Sequence, residues 1–304
     1  MADILFLAGA PKCGTSKIFN LLSNHPHITG SSIKESFFYI DSDSPLVNPE
    51  LNIHKDSKEE FRTLFDCGPS SKILLEGTTH TIYQHEVLSQ LAEFNKAKFL
   101  FVLRNPIDRL RSSFQYTKHN LARFKRDLSF EKYCKFLLND ESHLLTNYIK
   151  DFASFWVLER DLVYGRYAVY LKEWYERFES EQLKIVFFEE FFEHPYRLLN
   201  EIVDWLALEP MQMPEEVLKN KKNATVSVRN RFLQDFAWRL NKVLPKGPAI
   251  QKLKQIYAHF QYRPKEEVEI STDLYRRLQA YYEPHNQELS VLIGREIPKW
   301  NNAR

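Results

Sequence analysis

The chain alternates short apolar runs with segments whose apolar residues recur at helical spacing. The run Ile4–Ala8 has no polar alternation, which is typical of a parallel strand buried on both faces. Further strands of this kind are predicted at Lys72–Glu76, Lys98–Leu103 and Lys184–Phe188. Because strands separated by helices form parallel sheets with right-handed crossovers, the pattern predicts an α/β fold.

Helical spacing of apolar residues fills the stretches between these strands and the end of the chain. Helices are predicted at about 16–23, 106–120, 129–138, 166–178, 196–206 and 272–293. The stretch Asp41–Glu60 is polar and is expected on the surface, and segment 209–232 is polar and basic with poor periodicity. No internal repeat or low-complexity linker divides the chain, so a single domain over residues 1–304 is predicted.

Composition excludes several classes of protein. Lys and Arg total 42 against 40 Asp and Glu, a net charge of +2, which argues against a general nucleic-acid binder. The three cysteines are far apart, so neither a zinc site nor a disulfide framework is expected, and a reducing, cytoplasmic location is predicted. No run approaches the roughly 20 apolar residues that cross a bilayer, and the first run is too short for a signal peptide.

The turn after the first strand has the features of a phosphate loop. Glycine is scarce, 8 in 304 residues, yet Gly9 and Gly14 both lie in this turn, which opens a helix. Unpaired N–H groups at a helix N-terminus favour an anion, and Lys12 adds a positive charge. The loop is not a Walker A motif, because Lys12 precedes Gly14 instead of following it.

A second candidate anion site follows the third of these strands. Arg104 stands at its carboxyl end, where open α/β sheets bind ligands, and Pro106 suits the first turn of a helix. Ser112 lies about two helical turns beyond Arg104. Arginine is well shaped for bidentate phosphate recognition, so Arg104 and Ser112 are predicted to bind one phosphate.

Together these segments resemble the sulfotransferases that use 3′-phosphoadenosine 5′-phosphosulfate (PAPS). Pro11–Ser16 is similar to that family's 5′-phosphosulfate loop, with Ser16 in place of the last Thr, and Arg104-Asn-Pro with Ser112 is similar to its 3′-phosphate motif. The resemblance continues, in the right order, through Gly165–Trp174, Lys184–Glu190, His194-Pro195 and Tyr281–Leu289. It implies a P-loop-like three-layer sandwich, with a central parallel sheet flanked by helices.

The resemblance also implies roles for individual residues. PAPS would be the donor, 3′,5′-ADP the product, and no metal would be needed. Lys12 would hold the phosphosulfate and its leaving oxygen, helped by the rest of the loop: Pro11, Cys13, Gly14, Thr15 and Ser16. Arg104 and Ser112 would hold the 3′-phosphate. Lys222 and Arg229 would belong to a late basic loop that closes over the nucleotide, or else to a solvated basic surface. Tyr167 is a candidate for contact with the adenine, although an aromatic residue at helical spacing is more often part of the core.

A base must take the proton of the attacking acceptor. Lys34-Glu35-Ser-Phe-Phe38 resembles a stretch of the glycan sulfotransferases whose Glu is the base, which selects Glu35. The branch that acts on small molecules uses His instead, and His80 and His119 are the candidates for that role. Glu76, at a strand end, is expected to orient the substrate or Lys12.

No motif in the sequence identifies the acceptor. A carbohydrate hydroxyl or amine is favoured, and a lipid or another small molecule is an alternative. Two other functions compete: a P-loop nucleotide or small-molecule kinase, and a binding module that has lost its chemistry. The displaced Lys12 argues against the kinase, and the joint presence of Lys12, Glu35, Arg104 and Ser112 argues against the binding module. No pattern predicts the oligomeric state.

Overall fold

A computed structural model describes residues 2–210, 268–298 and 300, and the backbone of a short strand pair at Ser227–Val228 and Tyr262–Arg263. The described residues form two compact units that alternate along the chain. The first unit takes residues from 2–109, 163–210 and the part of the chain after 275. The second takes residues from 110–162, 268–275 and the strand pair. The single domain over residues 1–304 stays a prediction.

The first unit is built on a parallel sheet of five strands. These are β1 (Asp3–Gly9), β2 (Ile28–Gly30), β3 (Ile73–Glu76), β4 (Lys98–Leu103) and β5 (Leu183–Phe187), in the spatial order β2-β3-β1-β4-β5. Every neighbouring pair runs parallel. The four predicted strands are confirmed, and β2 is an edge strand that the sequence pattern did not show.

Helices cover both faces of the sheet. Within the described residues the helices of this unit are α1 (Thr15–Leu22), α2 (Lys58–Arg62), α3 (Leu88–Ala92), the start of α4 (Pro106–Gln115), α7 (Tyr167–Arg177), α8 (Phe188–Glu193), α9 (Pro195–Trp205) and most of α10 (Thr272–Ile293). Across the sheet, the connection from β1 to β2 leads to one edge, and the connections from β2 through β3 and β4 to β5 lead to the opposite edge. Right-handed crossovers therefore put α1 on the face opposite α3 and α7. The packing agrees, since α1 contacts α9 and α3 contacts α7. The α/β sandwich is confirmed.

An aromatic cluster fills the core on one face of the sheet. Phe6 of β1 stacks on Phe99 of β4, with ring centroids 5.4 Å apart, and the edge of Tyr39 meets Phe6 at 5.6 Å. Phe61 of α2 and Phe94 pack on the same ring. All five rings come from different segments. Burial of this much aromatic surface holds the long excursion between β2 and β3 against the sheet.

The second unit has its own small core. Its described helices include the end of α4, α5 (Phe130–Leu138) and α6 (Phe152–Arg160). Phe114 lies within about 5 Å of the rings of Phe124, Phe130 and Tyr133, at centroid distances of 5.3, 5.4 and 5.1 Å. The hydroxyl of Tyr133 donates to the Asp161 carboxylate at 3.1 Å, so the polar end of this cluster is satisfied.

Candidate active site

The β1–α1 loop is held in a conformation that only certain residues accept easily. Lys12 has φ 68° and Gly14, the N-cap of α1, has φ 80°, so both occupy the left-handed region. A Cβ on Gly14 would lie 2.9 Å from Phe192 and 3.0 Å from Phe188. Glycine is therefore required at this position for conformation and for space. The loop presents the first, intrahelically unpaired N–H groups of α1, which include those of Thr15 and Ser16.

Arg104 joins the end of β4 to this loop. Its Nη1 donates to the carbonyl oxygen of Lys12 at 3.2 Å, and its guanidinium lies over the ring of Phe188 at 4.4 Å. The Nε of Arg104 is buried and has no hydrogen-bond partner. Asn105 caps α4 by accepting from the N–H of Ile107 at 2.9 Å. Arg104 and the β1–α1 loop therefore meet at adjacent strand ends, in keeping with the neighbouring positions of β1 and β4.

Tyr167 of α7 and Cys13 of the β1–α1 loop pack together in the interior. Tyr167 is buried, and its hydroxyl donates to the carbonyl oxygen of Arg104 at 2.9 Å and lies 3.8 Å from the Cys13 sulfur. Burial raises the pKa of the Cys13 thiol to about 11, so this cysteine stays neutral. The buried Tyr167 hydroxyl thus links the end of β4 to the β1–α1 loop. The predicted contact of Tyr167 with adenine stays a prediction.

The candidate base Glu35 lies in a second strained turn, with φ 62° at Glu35 and 52° at Phe37. Its carboxylate accepts from the Lys34 ammonium at 2.6 Å and from the backbone N–H of Thr79 at 2.9 Å. The Thr79 hydroxyl donates to it as well, at 3.1 Å from Oε1. The side chain is still 30% exposed, so the carboxylate is held in place and yet reachable by a ligand.

His80, the alternative base, has a different environment. Burial lowers the pKa of its imidazole to about 4, against the opposing effect of the Glu35 carboxylate. Its ring lies 5.9 Å from the ring of Tyr83 and 6.4 Å from that of Phe37, and its Nδ1 is buried without a partner. Taking a proton would place a positive charge on a buried imidazole, near the cations Arg109 and Lys34 as well as Glu35, whereas Glu35 becomes neutral when it takes one. This difference in surroundings supports Glu35, and the choice between the two bases stays a prediction.

Comparison with known proteins decides the family. The model of the family described as "Sulfotransferase domain" matches residues 2–230, which is most of the chain. The chain belongs to the sulfotransferase domain family. The resemblance to the sulfotransferases is thereby confirmed.

Relatives and solved structures agree with this membership. Carbohydrate sulfotransferase 15 of Mus musculus is 23% identical over 300 residues, which cover 85% of this chain and 52% of that protein. The bifunctional heparan sulfate N-deacetylase/N-sulfotransferase 1 of Caenorhabditis briggsae is 23% identical over 210 residues, 67% of this chain and 22% of that protein. The chain spans about half the length, or less, of these curated relatives. The crystal structure of a sulfotransferase from Alicyclobacillus acidocaldarius covers 99% of this chain with a TM-score of 0.69 at 20% identity, and shows the same fold.

Several residues predicted for this sulfotransferase-family chain are not tested by the geometry. Ser112 is buried within α4 and belongs to the second unit, so its contact with a 3′-phosphate stays a prediction. His119 lies in a π-helical turn, Tyr116–Asn120, of the same unit. Lys222 and Arg229 lie outside the described residues.

β3 ends at Glu76, which the sequence predicts to orient the substrate or Lys12, and is followed by Thr79, which no sequence motif identifies. Glu76 accepts hydrogen bonds from Ser36 and Thr78, so it contacts the turn that carries Glu35. Thr79 contacts Glu35 directly. The available signal was the polar run Glu76–Thr79 at a strand end, close to where the sheet was expected to bind its ligand.

Two features are absent from the described residues, a cluster of metal-ligating side chains and a membrane-spanning helix. No group of three or more His, Cys, Asp or Glu side chains among them could hold a metal ion. None of their helices is long and apolar enough to cross a bilayer.

Proposed function

We propose that this chain transfers a sulfuryl group from PAPS to a hydroxyl or amine of an acceptor and releases 3′,5′-ADP. The observation that carries the proposal is the hydrogen bond from Arg104 to the Lys12 carbonyl. It joins the two segments that we expect to bind anions, at neighbouring strand ends of a sulfotransferase-family fold. One nucleotide with a phosphate at each end of its ribose could then contact both segments.

The residues present suit such a donor. The buried Nε of Arg104 has no partner within the protein, and a guanidinium with an unused donor fits a phosphate oxygen. Gly14 keeps side-chain bulk out of the turn where a phosphosulfate would approach the N–H groups of α1. Thr15 and Ser16 add hydroxyl groups there. PAPS would supply the activated sulfuryl group.

The protein's part in the reaction is to position groups and to stabilise charge. Lys12 would neutralise the charge that develops on the leaving oxygen. Arg104, with Ser112, would fix the 3′-phosphate and so the position of the donor. Glu35 would take the acceptor's proton as the acceptor attacks sulfur in line with the leaving group. Lys34 and Thr79 hold the Glu35 carboxylate ready for that step.

The proposed acceptor is a carbohydrate or a small metabolite. The names of the mouse and nematode relatives, a carbohydrate sulfotransferase and a heparan sulfate N-sulfotransferase, support a glycan. The family match favours sulfuryl transfer over the kinase alternative, for which no observation speaks. A lipid acceptor and a cytoplasmic location remain proposals drawn from the sequence alone.

The test is sulfuryl transfer from radiolabelled PAPS to a panel of glycans, glycosides and small hydroxyl or amine compounds. We expect labelled product with at least one acceptor. Lys12→Ala and Glu35→Gln should each lower kcat by about 10²–10⁴-fold. Lys96→Ala and Glu59→Gln remove the same charges from exposed positions and should keep the wild-type rate. Phosphate transfer from ATP with Mg²⁺, together with no sulfuryl transfer from PAPS, would contradict the proposal.

A further inference from the structure

The segment Glu76–Thr79, which begins at the last residue of β3, packs along the turn that carries Glu35. Lys34 donates to the Gly77 carbonyl at 3.2 Å as well as to Glu35. The Phe37 N–H donates to the Thr78 hydroxyl at 3.0 Å. Ser36 donates to Glu76 at 2.7 Å. Each residue from Lys34 to Phe37 therefore has a hydrogen bond to one short segment of the chain.

Thr79 acts on the Glu35 carboxylate itself. Its N–H donates to Oε2 at 2.9 Å, and its hydroxyl lies 3.1 Å from Oε1 and 3.2 Å from Oε2. Two donors on one residue fix both the position and the rotation of the carboxylate. Donors of this kind also stabilise the charged form of a carboxylate.

Glu76 acts one step further back. It is 2% exposed and accepts from the Thr78 N–H at 2.8 Å, the Thr78 hydroxyl at 2.6 Å and the Ser36 hydroxyl at 2.7 Å. The two hydroxyls donate to Glu76, because an ionised carboxylate can only accept, and each hydroxyl also accepts from a backbone N–H, that of Phe37 or Phe38. A carboxylate matches three donors, whereas an amide would direct its own N–H groups at one or two of them.

The conformation of the Glu35 turn shows why such support is needed. Both Glu35 and Phe37 have positive φ, a region that side chains with a Cβ disfavour. Burial raises the pKa of Glu76, and the hydrogen bonds from Thr78 and Ser36 oppose this. A buried acid is costly unless its partners are in place. The strained turn and the buried acid thus depend on the same contacts.

We propose that Glu76 and Thr79 are positioning residues that set the geometry of the Glu35 carboxylate, Thr79 by direct contact and Glu76 through Ser36 and Thr78. This inference rests on the proposed function, in which Glu35 is the base. It gives Glu76 a role different from the one expected from its place at a strand end, since its hydrogen bonds go to the base-carrying turn.

The experiment compares kcat, the KM for PAPS and the pH profile of kcat/KM in four variants. Thr79→Val removes the hydroxyl donor and keeps the N–H, and Thr79→Ser restores the hydroxyl. We expect Thr79→Val to lower kcat about tenfold and to move the acid limb of the profile to higher pH, with KM for PAPS unchanged. Thr79→Ser should restore both. Thr146→Val, which removes an exposed hydroxyl bonded to a local carbonyl, should behave as wild type.

Glu76→Gln tests the second step. We expect kcat to fall about 10- to 100-fold, because small displacements of a catalytic group are costly, with the affinity for 3′,5′-ADP unchanged. If Glu76→Gln does not fold, as judged by circular dichroism, the Thr79 pair decides.

The outcomes separate the two proposals. Wild-type protein that transfers no sulfuryl group, or Glu35→Gln at the wild-type rate, overturns the assigned chemistry and this inference with it. Loss of activity in Glu35→Gln, with an unchanged kcat and pH profile in Thr79→Val, overturns this inference alone.

Discussion

Gly14 gives the sharpest test of the β1–α1 loop, because the chain offers two matched glycines. Gly14 has a positive φ, and a Cβ there would meet Phe192 at 2.9 Å and Phe188 at 3.0 Å. Gly294, just after α10, has φ +67° with nothing within 4 Å of its Cβ position. Gly68 has neither feature. The three Gly→Ala variants therefore separate backbone strain from close packing.

The expected costs follow from these contacts. Gly294→Ala should lower the free energy of unfolding by roughly 1–2 kcal/mol, the penalty for a left-handed residue with a Cβ. Gly14→Ala carries the same penalty plus roughly 1–3 kcal/mol for overpacking against the two rings. Its total is therefore about 2–5 kcal/mol. Gly68→Ala should be neutral, or stabilising by up to about 1 kcal/mol through the unfolded chain.

Equilibrium urea denaturation of the three variants measures these differences, with the m-value as a check that the same transition is observed. In the Gly14→Ala background, Phe192→Leu should return part of the packing cost, because Phe192 is 41% exposed and its ring is one of the two contacts. The reasoning is refuted if Gly14→Ala costs no more than Gly294→Ala.

Three further predictions concern single side chains. Arg104→Lys should weaken binding of 3′,5′-ADP about 10- to 100-fold in calorimetric titration, because lysine lacks the planar fork and the stacking on Phe188. Between pH 7 and pH 5 the wild-type free energy of unfolding should fall by about 2 kcal/mol because of His80, and this fall should be absent in His80→Gln, as measured by urea denaturation at each pH. With its folded pKa lowered to about 4, wild-type His80 stays neutral while the unfolded chain takes up a proton below about 6.5. Exposed Cys67 should react first with a thiol reagent, whereas buried Cys13, with a pKa of about 11, should react only on unfolding.

Each of these has a contrary result. Equal nucleotide affinity in Arg104→Lys would show that a point charge is enough at this strand end. A His80→Gln variant with the wild-type loss of stability toward acid would show that other groups cause it. Rapid labelling of Cys13 in the folded protein would show that the loop opens to solvent.

The strands were predictable because their burial on both faces leaves continuous apolar runs. β2 was missed because three residues, Ile28–Gly30, carry too little pattern. The short helix α2 was missed inside a polar stretch, although Ser57 and Glu60 form a capping box there. The helix predicted over 106–120 is correct to Gln115, after which the chain forms a π-helical turn.

The site was predictable where it follows from sheet order and not where it depends on the path of a loop. Lys12 and Arg104 follow parallel strands, and the carboxyl ends of parallel strands lie at the same edge of a sheet, so the two residues are expected near each other. The contact of Glu35 with Thr79 joins segments 44 residues apart and requires two residues with positive φ in the turn. No periodicity of apolar residues in the sequence predicts the path of the loop that carries Glu35. Glu35 also forms an ion pair with its neighbour Lys34, as one part of this network.

The measurement that tests the account most directly is calorimetric titration of wild type, Lys12→Ala and Arg104→Ala with 3′,5′-ADP and with 5′-AMP, all in EDTA. We expect wild type to bind 3′,5′-ADP at least about tenfold more tightly than 5′-AMP, since one charge-assisted phosphate contact is worth roughly 1.5–3 kcal/mol. Arg104→Ala should abolish that preference and keep the affinity for 5′-AMP, while Lys12→Ala should weaken both ligands. Equal wild-type affinity for the two nucleotides, or an undiminished preference in Arg104→Ala, would contradict the claim that the two strand ends grip one nucleotide.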